Sequence, residues 1–418
     1  MQYSDKSYEE RLKALFVKFP SVQKTGFGSG AYKEGLDGML RLDESLGHPH
    51  LGYKTIHIAG TNGKGSVSSM LAASLASDGR KIGLYTSPHL VDFRERMKIV
   101  SADGYRMISK QDVWEFLERY DSALEGMSFF EITTGMCFWW LRKENVDAAV
   151  FEVGLGGRLD STNIITPEVS VVTSIGLDHC DLLGGTRPLI AAEKAGIFKK
   201  GVPAVVWGHD EETDAVFREI ADRVGAHLHF AGERPGDMVR TDLEGEYQAR
   251  NISTVLTVLE VIGEKANPSA IAHTARITGL RGRWEIVREK PLTICDIGHN
   301  PAALALNFKQ LKELGKPLTI VYGIMADKDL ESIIPLMPAD ARYILCAPST
   351  PRAMRTDALQ AAIRSQRPEL STETASSVEE AVKTALQRAD SSSAVYIGGS
   401  AFVVAEALPL FDSDSFNV

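Results

Sequence analysis

Cysteine is scarce in this chain of 418 residues: Cys137, Cys180, Cys295 and Cys346 stand far apart, and no C-x-x-C pair occurs. That excludes a disulfide scaffold and points to reduced thiols, three of them in apolar segments, in a cytoplasmic protein. No apolar run approaches the ~18 residues of a membrane helix. The first residues, with Asp5, Lys6, Glu9, Glu10 and Arg11, lack the apolar stretch of a signal peptide. Positive charge is in deficit: the net charge of −9 argues against general affinity for nucleic acid, whose phosphates would be repelled. There is no internal repeat and no low-complexity tract beyond Ser391-Ser392-Ser393. Neither a nucleic-acid nor a membrane partner is expected. The 44% hydrophobic and 24% charged content is that of a globular protein, here long enough for two or three domains.

What is present is concentrated first at residues 54–66. Ile56 and Ile58 alternate as in a short buried strand, and Val67 to Leu75 read as an Ala- and Leu-rich helix. Between them lie Gly60, Thr61, Asn62, Gly63, Lys64, Gly65 and Ser66. Glycines let backbone N–H groups crowd around phosphate oxygens, and a helix N-terminus adds partial positive charge. Lys64 would reach the β- and γ-phosphates of ATP, and Ser66 would face its Mg²⁺. The spacing departs from G-x-x-x-x-G-K-[ST], since Gly65 separates Lys64 from Ser66. An ordinary glycine-rich turn is the plainer reading, but lysine, hydroxyl, strand and helix in register favour phosphate.

Along the chain, residues 7–19 predict a surface helix. Gly26, Gly28 and Gly30 predict a flexible loop, and Leu36, Leu40 and Leu42 resume a helix. Strands are expected at 82–85, 148–153, 169–175 and 202–207, with helices at 110–124, 133–142 and 189–198. This alternation predicts an α/β fold whose mostly parallel sheet is flanked by helices and binds ligands at strand C-terminal ends. Strands at 292–296, 318–322, 343–347 and 394–398 alternate with helices at 302–314, 330–337, 356–365 and 377–389. They predict a smaller C-terminal α/β domain, with the expected division at 1–288 and 289–418. Residues 412–418 are expected to fray.

Several strand ends carry chemistry. Glu152 can hold Mg²⁺ directly or through water. The glycines that follow suggest a dinucleotide fingerprint, but position 159 is leucine, so G-x-G-x-x-G is absent. His179, beside Asp178, can ligate a second metal. Lys194 carries the wrong charge for that site unless carbamylated. The plainer reading pairs His179 and Lys194 with carboxylates, and the residue types leave the two open. Asp296 can accept a ribose hydroxyl and His299 can meet an anionic substrate, while Asn300 before Pro301 reads as a helix cap. Arg283 can reach transferring phosphate or form an interdomain salt bridge. Phe129 and Phe130 can stack on a heterocycle or belong to the core. Trp139 and Trp140 read as packing.

Taken together these segments resemble the folylpolyglutamate synthase/dihydrofolate synthase family of the Mur ligase superfamily. The matching stretches are Ala59-Gly-Thr-Asn-Gly-Lys-Gly-Ser66, Tyr85-Thr-Ser-Pro-His-Leu90, Phe93-Arg-Glu-Arg96 and Glu152-Val-Gly-Leu-Gly-Gly-Arg-Leu-Asp-Ser-Thr-Asn163. Asp178-His179, Glu193-Lys-Ala-Gly-Ile197, Gly282-Arg-Trp-Glu285, Asp296-Ile-Gly-His-Asn-Pro301, Ala326-Asp-Lys-Asp329 and Pro351-Arg-Ala353 follow in order. The resemblance implies an N-terminal P-loop ATPase-type domain and a Rossmann-like C-terminal domain. It implies an ATP site at the phosphate loop with Lys64, and two Mg²⁺ ions supported by Ser87, Glu152 and His179. Lys194 matches the lysine that is carbamylated in the family. Asn251, Arg283 and Asp296 match nucleotide contacts. Phe130 and its neighbour Thr133 lie where the pterin is held, and His299 and Ser400 on the glutamate side. The C-terminal Gly398-Gly399-Ser400 is a short match, and the 26–31 loop is unusually glycine-rich for the family.

The implied reaction joins L-glutamate to dihydropteroate, to a reduced folate, or to both, through an acyl phosphate. The resemblance also implies a monomer, whose two domains would close over the intermediate and keep water out. A different Mur-type ligase acting on a cell-wall nucleotide precursor is the alternative, disfavoured because only about 53 residues precede the phosphate-loop strand. A binding protein that has lost catalysis would show broken motifs, whereas Lys64, Glu152, His179 and Lys194 are all in place.

Overall fold

The computed structural model describes residues 3–20, 35–232 and 241–412. The glycine-rich stretch at 26–31 and the expected frayed end beyond Asp412 lie outside them. Contacts divide the chain into two compact units, one of residues 1–89, 93–242 and 248–280, the other of residues 90–92, 243–247 and 281–418. Among the described residues no helix is long and apolar enough to cross a membrane. All four cysteines are free thiols, and only Cys180 is not fully buried.

The first unit is built on eight strands: β1 (Lys54–Ala59), β2 (Ile82–Tyr85), β3 (Met97–Ser101), β4 (Gly104–Met107), β5 (Ala148–Glu152), β6 (Val169–Val172), β7 (Pro203–Trp207) and β8 (His227–Ala231). Their order is β4-β3-β2-β5-β1-β6-β7-β8. Strands β2, β5, β1, β6, β7 and β8 run parallel, while β3 and β4 complete one edge as an antiparallel hairpin. The central strands are buried throughout except Lys54, because helices cover both faces; their sequences accordingly read as apolar runs without alternation. Register levels the strand ends: Tyr85 pairs with Phe151, Ile58 with Glu152 and Ala59 with Val172. The loops after β2, β5, β1 and β6 therefore leave one edge of the sheet side by side.

The helix Lys64–Ala76 is buried from Gly65 onward. Its serines, alanines and leucines show no polar face because it packs against β2 and β5 on one side and the helices Gln248–Val261, Pro268–Ala272 and Thr274–Thr278 on the other. The expected helix at 133–142 begins earlier, at Phe129. Ser128 Oγ accepts the Glu131 N–H and Glu131 Oε2 accepts the Ser128 N–H, a capping box legible in the sequence as S-x-x-E. The single helix expected over 110–124 is two: Lys110–Arg119, capped by Ser109, and a 3₁₀ turn at Asp121–Leu124. The hairpin β3–β4 and the elements between 208 and 280 had no counterpart in the sequence reading. The strands expected at 169–175 and 148–153 stop at Val172 and Glu152, because the residues beyond turn away as site loops.

The second unit carries β9 (Glu285–Glu289), β10 (Leu292–Asp296), β11 (Leu318–Tyr322), β12 (Ala341–Leu345), β13 (Ser371–Thr374) and β14 (Ala394–Gly398) in the order β13-β12-β11-β14-β10-β9. All are parallel except β9. The sequence divides at 288/289, inside β9, whereas the contacts begin this stretch at Arg281. Strands β10, β11 and β14 match their expected ranges, and β12 starts two residues before its expected Tyr343. The unexpected β9 and β13 are edges, half-exposed and rich in charge or hydroxyl, so they offer no apolar run. The helix expected over 330–337 is one turn at Leu330–Ile333 followed by a 3₁₀ turn.

Phe151 is wholly buried in β5, its ring centroid 4.9 Å from that of Phe138 and 6.0 Å from that of Tyr85. Truncation to alanine leaves a cavity under the strand that ends in Glu152, and should cost ~3–5 kcal/mol. Chemical denaturation followed by circular dichroism would check this; a loss under ~1 kcal/mol would mean the surrounding aromatics collapse into the space.

Candidate active site

The phosphate loop occupies the exit of β1, the centre of the sheet edge. Gly63 sits at φ +87° as the cap of helix Lys64–Ala76, and a Cβ there would lie 2.4 Å from Asn251 Oδ1, so only glycine fits. The loop is stitched to the segment following β6. Thr61 N–H donates to Ser174 O (2.8 Å) and Asn62 N–H to Ser174 Oγ (2.9 Å). Thr173 and Ser174 hydroxyls donate to Asn62 O, at 2.6 and 2.9 Å. Thr61 Oγ1 exchanges hydrogen bonds with Gly176. None of Thr173, Ser174 or Gly176 was assigned a role from sequence; their signal, small polar residues after a buried strand, is too common to read. Lys64 Nζ curls back to Gly60 O (3.0 Å) and Thr61 O (3.2 Å), so its ammonium spans the loop. Ser66 Oγ accepts from Gln248 Nε2 (3.2 Å), and Gln248 Oε1 accepts from Asn251 Nδ2 (2.7 Å). Asn251 thus joins the loop from a helix distant in sequence.

On the β5–β2 side, Glu152 is buried at the strand end and its Oε2 accepts the Ser87 N–H (3.1 Å), bringing together two of the expected metal-supporting residues. Near them the guanidinium of Arg96 is buried, its Nε donating to His89 Nδ1 (2.8 Å) and its centre 5.3 Å from the Phe129 ring centroid. Burial holds Arg96 below its usual range, against the pull of Tyr85, Glu152 and Glu95. The sequence reading included Arg96 in a motif without giving it a task. Of the expected pterin-side pair, Phe130 is half-buried with its ring centroid 5.8 Å from that of Tyr85. Thr133 turns into the core at 0% exposure. Its hydroxyl donates to Phe130 O (3.1 Å) and lies 2.8 Å from the Tyr85 hydroxyl, so it supports the site from behind.

On the β6 side, His179 takes a left-handed conformation (φ +54°), with Nε2 3.9 Å from Asp178 Oδ1. Lys194 is 3% exposed in the helix Arg187–Ala195. Burial first, then the like charge of Lys64, pulls its pKa down to about 7, while Asp178, Asp160 and Glu193 oppose the shift. A substantial fraction of the amine is therefore neutral and nucleophilic near neutral pH, which is the form that adds carbon dioxide. The structure brings Lys64, Lys194 and Asp178 into one electrostatic neighbourhood.

A divalent cation fits this donor set. Glu152, Ser66 and Ser87 offer oxygen and His179 a nitrogen. Among the described residues no three His, Cys, Asp or Glu side chains converge into a closed cage. Few protein donors, with water and phosphate completing the shell, is how Mg²⁺ is commonly held.

In the second unit, Asp296 at the end of β10 uses both oxygens on protein donors: Oδ1 on Gly298 N–H (2.7 Å) and Asn307 Nδ2 (2.6 Å), Oδ2 on Tyr247 OH (2.8 Å) and Trp284 N–H (2.8 Å). It organises its own loop, and a ribose hydroxyl would have to displace one of these donors. Arg283 Nη1 donates to Arg281 O (2.9 Å) and forms no salt bridge among the described residues. His299 Nδ1 lies 3.0 Å from Ile297 O, and Asn300 Oδ1 caps the helix Pro301–Glu313 as expected. Ser400 Oγ accepts the Val403 N–H (3.2 Å) as a buried cap of the helix Ala401–Asp412. Asp296 pairs with Gly398, so the loops bearing His299 and Ser400 leave adjacent strands.

Two family models match the chain: the Mur ligase middle domain over residues 127–269 and the Mur ligase glutamate ligase domain over residues 282–401. The folylpolyglutamate synthase of Lacticaseibacillus casei is 34% identical over 375 residues, covering 82% of this chain and 86% of the relative. A probable bifunctional folylpolyglutamate synthase/dihydropteroate synthase of Haloferax volcanii is 33% identical over 90% of this chain, which spans only 48% of that longer protein. Among solved structures, E. coli FolC in complex with DHPP and ADP superposes with a TM-score of 0.81 at 28% identity, covering 97% of each chain. A bifunctional folylpolyglutamate synthase/dihydrofolate synthase with Mn, AMPPNP and L-glutamate bound gives 0.79 at 29% identity, covering 91% of this chain and 95% of that one.

The buried Lys194 has a consequence for stability. Between pH about 7 and the ordinary lysine value of 10.5 the unfolded chain holds a proton that the folded chain has released. Its contribution to folding stability therefore rises with pH across that window. Denaturant titrations in bicarbonate-free buffer should show that slope in the wild type and a flatter one in Lys194→Met; equal slopes would contradict the shift.

Proposed function

Because the chain belongs to the folylpolyglutamate synthase/dihydrofolate synthase family of Mur ligases, we propose that it is an ATP-dependent ligase joining L-glutamate to dihydropteroate, to reduced folates, or to both. The observation that carries this reading is the shared electrostatic neighbourhood of Lys64, at the start of the helix after β1, and the depressed, buried Lys194 of the helix Arg187–Ala195. The acceptor carboxylate attacks the γ-phosphorus of ATP, forming an acyl phosphate and releasing ADP. The neutral amine of glutamate then attacks the acyl carbon, and the tetrahedral adduct expels phosphate to leave an amide.

The first step brings two anions together, so its catalysis is chiefly positional and electrostatic. Backbone N–H groups of Gly63 to Ser66 would hold the phosphates, those of Thr61 and Asn62 being spent on Ser174. Lys64 would exchange its hydrogen bonds to Gly60 O and Thr61 O for the β- and γ-oxygens. Asn251, Arg283 and Asp296 are the proposed nucleotide residues, and Arg283, unpaired with any carboxylate among the described residues, would add positive charge. Ser66, Ser87, Glu152 and His179 would hold one or two Mg²⁺ ions, which supply charge neutralisation on the phosphates. A carbamate on Lys194 would turn a repelling cation into an anionic support for such an ion. Phe130, with Thr133 behind it, is proposed for the pterin side, and His299 and Ser400 for the glutamate side. The proposed working state is a cytoplasmic monomer.

Glutamate-dependent phosphate release with ATP and Mg²⁺ should occur with dihydropteroate, tetrahydrofolate or both as acceptor. Release with neither, from folded protein, would overturn the reading. Lys64→Ala should lower that release by about 10²-fold or more, the scale for removing one preorganised charge-stabilising donor, with an unchanged circular dichroism spectrum. Turnover near wild type would remove Lys64 from the phosphate site.

A further inference from the structure

His57 lies in the middle of β1, two residues before its end and wholly buried, yet the reaction scheme gives it nothing to do. Its Nε2 lies 2.7 Å from Thr162 Oγ1. That hydroxyl also bonds Asp160 Oδ1, whose remaining contacts are the N–H groups of Thr162 (3.0 Å) on Oδ1 and of Gly154 (2.9 Å) and Leu155 (3.0 Å) on Oδ2. Four donors converge on two carboxylate oxygens, which is the complement of an ionised acid, and they work against the burial that pushes Asp160 above its usual range. Thr162 therefore spends its one proton on Asp160, and its oxygen must accept from His57. The imidazole is fixed as the Nε2–H tautomer, with Nδ1 finding no partner among the described residues. Burial and the charge of Lys199 pull its pKa down to about 3, so it stays neutral. An unpaired buried nitrogen is a penalty that an apolar side chain would not incur. What the imidazole supplies in return is a single N–H aimed at Thr162.

The far end of this chain of hydrogen bonds is the 154–157 turn, which packs against the backbone of Lys194. Asp160 gathers the turn Gly154–Gly157, and a Cβ on Gly157 would lie 2.8 Å from Glu193 O, 2.9 Å from Lys194 O and 3.0 Å from Lys194 Cα. The turn is pressed onto the backbone of Lys194 itself. Arg158 N–H donates to Glu193 O (2.9 Å), and Asn163 Nδ2 ties Arg158 O to Gly196 O, at 2.9 and 3.0 Å. We propose that His57 and Thr162 are positioning residues: through Asp160 they hold the 154–157 turn in register with Lys194, so that the strand carrying the phosphate loop also sets the place of the buried lysine. The proposal rests on the ligase reading only for its effect on turnover.

Thr162→Val keeps the side-chain shape and removes the hydroxyl; His57→Leu removes the N–H. Both should speed hydrogen exchange at the Gly154 and Leu155 amides while the strand amides of β5 and β1 keep their protection. Both should lower kcat by ~10–100-fold, the scale for losing an orienting partner of a site residue, with KM for ATP near wild type. Thr162→Ser and His57→Gln, whose Nε2 again donates at that reach, should restore both readouts. Wild-type exchange and kcat in Thr162→Val and His57→Leu would overturn the relay. So would faster exchange at unchanged kcat, which is all a stabilising role requires, or a His57→Gln as defective as His57→Leu. If the wild type itself ligates nothing, the functional reading falls, while the exchange measurements still decide whether the relay holds the turn.

Discussion

The site depends on a constraint of parallel sheets: neighbouring strands must finish on the same edge, and their backbone registers decide which loops meet. In the first unit β2, β5, β1 and β6 are consecutive in space although their order in the chain is β1, β2, β5, β6. Ser87, Glu152, the phosphate loop and the 173–179 segment become neighbours for that reason alone. Side chains then fasten what the sheet has aligned. Thr173 and Ser174 clamp the carbonyl of Asn62, so the phosphate loop is held in shape by β6 as well as by its own glycines. A preformed loop of this kind has less ordering entropy to lose on meeting an anion.

Charge burial is the second theme. Lys194, Arg96, Glu152 and Asp160 are nearly inaccessible in the same unit. Isolated ions there would be prohibitive, and each is accommodated differently. Asp160 is surrounded by four donors. Arg96 lies on an aromatic face with His89 at its Nε. Lys194 is shifted toward its neutral form. Concentrating such groups at one sheet edge would let an acidic protein receive a polyphosphate locally, since the field that matters is that of the site and not the net charge.

Much of this was legible before any coordinates. The strand–loop–helix at 54–76, the carboxylate ending the strand at 152, and the strands at 292–296, 318–322 and 394–398 all stand where periodicity put them. Those elements are buried on both faces, so their apolar content is dense. The edge strands β4, β9 and β13 were missed because edges are half-solvated and their residues alternate weakly; β3 is buried but carries Lys98 in its midst, which breaks the apolar run. The early start of the helix Phe129–Lys143 was a missed capping box, where local chemistry outweighed hydrophobic period. Among the residues proposed for the site, those with a charged or ring side chain in a recognisable stretch could be named from the sequence, whereas Thr173, Ser174, Gln248 and Tyr247 could not. Hydroxyls and amides gain their meaning from a partner far away in the chain.

By itself the sequence determined the alternation of strands and helices, the phosphate loop, the family, and the inventory of groups capable of the chemistry, because these follow from side-chain type and short-range spacing. Only the tertiary structure decided which of those groups are free to act. It turned Thr133 into the core, spent Asp296 on four protein donors, made Ser400 a helix cap and brought Lys194 into the field of Lys64. It also gave His57 a tautomer and a partner 105 residues away in the chain. The reason is that burial and hydrogen-bond saturation are properties of packing between distant segments, and no local pattern encodes them.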